Sequence, residues 1–202
     1  AEMLTRQNFN SEVSYDADGE NPFRFGSFTT MGEFYVETGL NIIGMSDYKR
    51  ILSLDSAMAV VQFKKDYVAY QRNYFISYPA NVMVMRFSAD QPGKQNLVFS
   101  YAPNPVSTGN MASDGNKGLV YSASLDNNGM KYVVRIQAET KGGTLSNADG
   151  KLAVKGADEV VFYITADTDY KPNFDPDFKD PKTYVGVNPE KTTRQWMNNA
   201  VS

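Results

Sequence analysis

Residues 130–139 alternate with a period of two: Tyr132, Val134, Ile136 and Ala138 fall on one face, Lys131, Arg135 and Gln137 on the other. That pattern suits an extended strand with one buried face and no helix. Leu97, Phe99 and Tyr101 repeat it. About ten strand-like runs follow one another along the chain, separated by turn signals at short spacing. Asn127-Asn128-Gly129 divides residues 119–125 from the next run, a hairpin signature. Gly142-Gly143 and Asp149-Gly150 punctuate two short runs, and residues 159–166 form the last. The expected fold class is all-β, mostly antiparallel, a large sandwich with short terminal helices.

Residues 33–43 open the series, 48–63 make one bent strand or two, and 67–77 follow a turn at Lys65-Asp66. Val82-Met83-Val84-Met85 is apolar on both faces, which places residues 81–88 in the middle of a stacked sheet. Residues 104–118, rich in Ser, Gly, Asn and Pro, read as a long loop. Residues 171–189 carry Pro at 172, 176, 181 and 189 and read as a linker leaving the sandwich. Helix is expected only at the ends, over residues 1–8 and 189–201. At the second, Asn188 is suited to cap and Pro189 to open the first turn. Its stripe of Trp196, Met197 and Ala200 has little to pack on if the chain ends at Ser202.

Composition narrows the chemistry. The 202 residues include neither Cys nor His, so disulfides, thiolate sites and Ser-His-Asp or Cys-His machinery are excluded. Any catalysis would rest on carboxylates, Lys or Tyr. A net charge of −3, with no basic run longer than Lys64-Lys65, argues against nucleic acid as a partner. No apolar stretch approaches the ~18 residues of a membrane span. The 13 Tyr and 12 Phe favour pleated, half-buried surfaces.

Three constellations invite a functional reading. Asn173, Asp175, Asp177 and Asp180 place oxygen ligands at alternate positions, as a calcium loop does. Yet the central Gly and a bidentate Glu are missing, and an ordinary Asx-Pro turn explains the string. Glu33 and Glu37 share a strand face beside Tyr35, and paired carboxyls serve glycosidic hydrolysis; ion pairing with Arg50 or Arg72 is the plainer role. Exposed Tyr or Phe could stack against a glycan, but Phe99, Tyr101, Tyr132 and Phe162 fall on inward positions. The residues therefore assign no catalytic, cofactor-binding or metal-binding side chain.

Three strings carry a resemblance. Asn21-Pro-Phe-Arg-Phe-Gly-Ser-Phe-Thr-Thr-Met-Gly-Glu-Phe-Tyr-Val-Glu37, Tyr48-Lys-Arg-Ile-Leu-Ser-Leu-Asp55 and Tyr74-Phe-Ile-Ser-Tyr-Pro-Ala-Asn-Val-Met-Val-Met-Arg-Phe87 occur in that order at close spacing. With residues 145–164 and Thr183-Tyr-Val-Gly-Val-Asn-Pro-Glu190, the chain resembles the amino-terminal domain of glycoside hydrolase family 95, the α-L-fucosidase family. The resemblance implies a β-super-sandwich joined by helices to an (α/α)6 barrel that holds the active site. None of the barrel's catalytic motifs occurs here, so no catalytic residue carries over. The Asn-Gly-x-x-Gly and Asn-Glu-x-x-x-Trp segments that open family members are absent too.

The organisation expected is a partial helix and turn over 1–20, the sandwich over 21–170 and a linker over 171–202 toward a helical barrel outside this chain. The function expected is that of a non-catalytic accessory domain of an α-L-fucosidase-like enzyme, periplasmic or extracellular. Its partner is the catalytic barrel, with a glycan as a further candidate. A carbohydrate-binding module and a purely structural interaction domain are the alternatives.

Overall fold

The computed structural model describes residues 29–126, 129–172 and 184–202, and the backbone of two short strands before them. Those strands, β1 (Ser14–Tyr15) and β2 (Pro22–Phe23), pair antiparallel within a first compact unit, Ala1–Met31. The helix expected at residues 1–8 lies outside the described residues. The second unit, Gly32–Ser202, carries the sandwich.

Its strands run in chain order as β3 (Gly32–Glu37), β4 (Met45–Ser53), β5 (Met58–Lys65), β6 (Val68–Ser77), β7 (Val82–Ala89) and β8 (Gln95–Pro103). There follow β9 (Ser107–Ser113), β10 (Gly118–Leu125), β11 (Lys131–Lys141), β12 (Thr144–Ala148), β13 (Lys151–Ala157) and β14 (Glu159–Thr168). Eight form one sheet in the order β4-β5-β6-β7-β14-β11-β10-β9, and four form a second in the order β12-β13-β8-β3. Every pairing in both is antiparallel. An all-β sandwich is what the alternation demanded.

The core lies between the sheets. Phe99 of β8 stacks on Phe162 of β14 with ring centroids 4.6 Å apart, and Phe87 of β7 meets Phe162 edge-on at 6.0 Å. Tyr101, Tyr121 and Tyr132 continue the aromatic layer toward β10 and β11. Phe99 and Phe162 are wholly buried, each worth about 1.5–3 kcal/mol of transfer free energy. The inward assignment of Phe99, Tyr101, Tyr132 and Phe162 holds. Burial pushes the Tyr101 hydroxyl pKa far above its ordinary value, with the Tyr132 hydroxyl beside it adding to the effect.

Several segments depart from expectation. The first strand stops at Glu37, because Gly39 turns the chain at φ +65. Ile42 and Ile43 are then left exposed before β4. Residues 48–63 divide into β4 and β5, the second of the two forms expected. The β5–β6 turn is Asp66-Tyr67, since the register pairs Lys65 with Val68. The stretch 104–118 is no loop: it contains β9, paired to β10 over all seven of its residues. Its Ser, Thr, Gly and Asn suit an edge strand in which most residues stay exposed.

A single α-helix, α1 (Pro189–Val201), stands among the described residues. The Asn188 side chain accepts from the Glu190 amide at 2.9 Å, and Pro189 opens the first turn as expected. The helix does have something to pack on. It lies across the outer face of β14 and β11, so half of the large sheet is covered on both sides. The buried positions are Pro189, Thr193 and Met197, four apart, whereas Trp196 and Ala200 flank the contact. Val82 and Val84 of β7, on this same outer face, are buried too.

Candidate functional site

The sequence-derived candidates do not converge. Glu33 and Glu37 stand on the exposed face of β3, the edge strand of the small sheet. Four residues of regular strand separate their Cα atoms by about 13 Å. The Tyr35 hydroxyl between them donates to Glu33, and that hydrogen bond raises the tyrosine's pKa above its ordinary value. Arg72 is not a partner of either acid; its guanidinium lies over the rings of Phe63 and Phe87, at 5.1 and 5.7 Å. The Asn173–Asp180 string lies outside the described residues. Among the described residues no group of three or more carboxylates could hold a metal ion.

Sequence reasoning missed a buried ion cluster. Arg135, assigned by alternation to an outer row with Lys131 and Gln137, is only 1% exposed beneath α1. Its two terminal nitrogens donate to Asp114, in the β9–β10 turn, and to Glu190, in the first turn of the helix. Arg194 closes the cluster, 2.9 Å from Glu190 and 3.7 Å from Asp114. A guanidinium suits this place because its fork satisfies two carboxylates at once and stays charged. The one signal for it was Val133, an apolar residue sharing that outer row.

The opposite half of the large sheet has no such cover. On the face that continues the core, β4 and β6 project Tyr48, Leu52 and Ile76, each more than half exposed. Leu54 and Tyr78, in the two turns at that end, are more than four-fifths exposed. The outer face of β4–β7 is polar toward the β5–β6 turn, where Lys49, Gln62, Lys64, Gln71 and Ser88 share it. Gln62 donates to Gln71 at 2.9 Å, and Gln71 donates to Asn73 at 2.9 Å, an amide ladder running over β5 and β6. Lys64 and Asp47 pair at 2.8 Å. The lysine holds the aspartate carboxyl below its usual range, and the aspartate raises the lysine pKa in turn. Gln62, Gln71, Lys64 and Asp47, with Lys49, Ser88 and Asp90, line a solvent-open trough of about 530 Å³.

The model of the glycosyl hydrolase family 65 N-terminal domain matches residues 2–173. The chain belongs to that family. The glycosyl hydrolase family 65 N-terminal domain also matches parts of much longer curated proteins. It is 28% identical over 192 residues to "Probable alpha-fucosidase A" of Aspergillus niger, covering 90% of this chain and 23% of that protein. It is 26% identical over 168 residues to "Alpha-L-fucosidase 2" of Arabidopsis thaliana, covering 67% of this chain and 18% of that one. It thus spans less than a quarter of the curated relatives it matches.

A solved human-microbiome protein, provisionally titled a kojibiose phosphorylase, superposes with a TM-score of 0.50 at 9% identity. It covers 77% of this chain and 22% of that one, a likeness of fold alone. The family thus established is an N-terminal domain of glycosyl hydrolases, a coarser assignment than glycoside hydrolase family 95.

Proposed function

We propose that this chain is the non-catalytic N-terminal sandwich of an α-L-fucosidase-like glycoside hydrolase of family 95 type, acting on fucosylated glycans. The observation that supports this most is the pair of curated relatives named as fucosidases, of which the chain matches only 23% and 18%. The rest of such proteins has room for a catalytic domain. Glu33 and Glu37 lie on the exposed face of an edge strand, with the Tyr35 hydroxyl hydrogen-bonded to Glu33. In this reading the catalytic barrel is the partner, and the uncovered side of β4 and β6 is the surface it covers. Tyr48, Leu52 and Ile76 supply the apolar area that a permanent interdomain contact uses. A periplasmic or extracellular location is part of the same proposal.

The test is made on the longer protein that contains this sandwich. Leu52→Lys with Ile76→Lys should reduce its turnover of 4-nitrophenyl α-L-fucoside by at least tenfold and lower its melting temperature. The same pair of changes in the isolated 202-residue chain should leave the melting temperature within a few degrees, because both side chains already face water. Unchanged turnover and melting of the longer protein would contradict the docking role. A longer protein that hydrolyses no fucoside would contradict the fucosidase assignment.

A further inference from the structure

We propose that the polar trough on the outer face of β4–β7 binds a neutral oligosaccharide, with the ring of Tyr67 as a stacking platform at the β5–β6 turn. This goes beyond the preceding reading and does not rest on it, since a chain without hydrolytic activity can still bind a glycan.

Four observations converge. The trough's volume of about 530 Å³ is that of a ligand cleft and admits a short oligosaccharide. Its lining includes two fixed amides. Each side-chain amide carries two N–H donors and two acceptor lone pairs, so the hydrogen bonds that Gln62 donates to Gln71 and Gln71 to Asn73 orient Gln62 and Gln71 and still leave capacity facing out. Strand spacing sets Gln62 and Gln71 about 4.8 Å apart across β5 and β6. The charges balance. Lys49 and Lys64 offset Asp47 and Asp90, and Lys64 is already paired with Asp47. That neutrality disfavours nucleic acid or another polyanion.

Tyr67 is the fourth. Asp66 and Tyr67 have φ of +50 and +62, the two-residue turn in which Asp-Gly or Asn-Gly is the favoured pair. A bulky residue is strained there, and Tyr67 is also 97% exposed, so its ring stabilises nothing in the fold. A strained residue held without a structural return marks a functional position. The turn is tied to the end of the trough. The Ala69 amide donates to the Asp90 carboxylate at 2.9 Å, and the Gln91 side chain donates to the Tyr67 carbonyl at 3.3 Å. An amphipathic ring on the adjoining turn and polar groups in the lining are the two components that sugar recognition uses.

The test titrates the 202-residue chain with 2′-fucosyllactose, cellotetraose and maltotetraose, followed by amide chemical shifts. At least one should give saturable shifts at Gln62, Gln71 and Ser88 with a Kd of about 1 mM or tighter. Gln71→Ala should weaken that binding about tenfold, and Tyr78→Ala, at the far end of the sheet, should leave it unchanged. Tyr67→Gly separates a binding role from a structural one: it should raise the melting temperature by about 2–4 °C while weakening binding about tenfold. The proposal is overturned if none of the three sugars shifts these amides, if shifts saturate elsewhere, or if both trough variants bind as the unaltered chain does.

Discussion

Arg135 shows how far alternation reaches and where it stops. The period-two pattern placed its side chain correctly on the outer face of β11, yet could not foresee a helix arriving over that face. Its partners lie 21 and 55 residues away, and no local pattern encodes a pairing at that distance. The physical consequence is testable. Asp114→Ala leaves the guanidinium buried with one carboxylate, and should cost about 2–3 kcal/mol in urea unfolding, at the low end for breaking a buried pair because Asp114 is partly exposed.

A second prediction at this scale concerns acid. Hydrogen bonding from Arg86 holds the Glu159 carboxyl below its ordinary range, against a smaller opposing effect of burial. The unfolded-state value lies near 4.3. The pair therefore adds stability above that pH and loses it as the pH falls through the lower folded-state value. Arg86 is 43% exposed, so the contribution stays under about 1 kcal/mol. Glu159→Gln should flatten the dependence of melting temperature on pH between about 5 and 3.

At the scale of elements, strands with an inward apolar row were legible and one edge strand, β9, was not. β8, β10, β11 and β14 each carry such a row, and each was read to within a few residues. β9 pairs only with β10 and buries no residue, so its composition is that of a loop. The helix was found by its cap and Pro189, but its contact stripe was rotated by one position, onto Thr193 and Met197. Met197→Ala should loosen that contact at a cost of about 2–3 kcal/mol, with faster amide exchange in residues 189–201 and little change in β8. At the turn before β12, Gly143 has φ +66, and an added Cβ would meet the Lys155 carbonyl oxygen at 2.4 Å. Gly143→Ala should cost more than about 1 kcal/mol in urea unfolding.

The whole molecule divides by what covers its large sheet. One half is packed between the small sheet and α1, and the aromatic layer there was visible in the inward positions of the sequence. The other half, β4 to β6, exposes Tyr48, Leu52 and Ile76 on the face that continues the core, and β4 buries no residue. The sequence did not show this, because Leu52 and Ile76 sit in strand patterns that normally mean core. Whether an apolar position is covered depends on a layer that the strand itself does not encode. The proposed role of this sandwich is to assist chemistry done elsewhere in a longer protein. Its most direct test is the hydrolysis of 4-nitrophenyl α-L-fucoside by the purified 202-residue chain beside the longer protein, at equal molar concentration. The account predicts turnover by the longer protein and a rate for the chain no different from buffer. Hydrolysis by the chain alone, abolished by Glu33→Gln or Glu37→Gln, would contradict it.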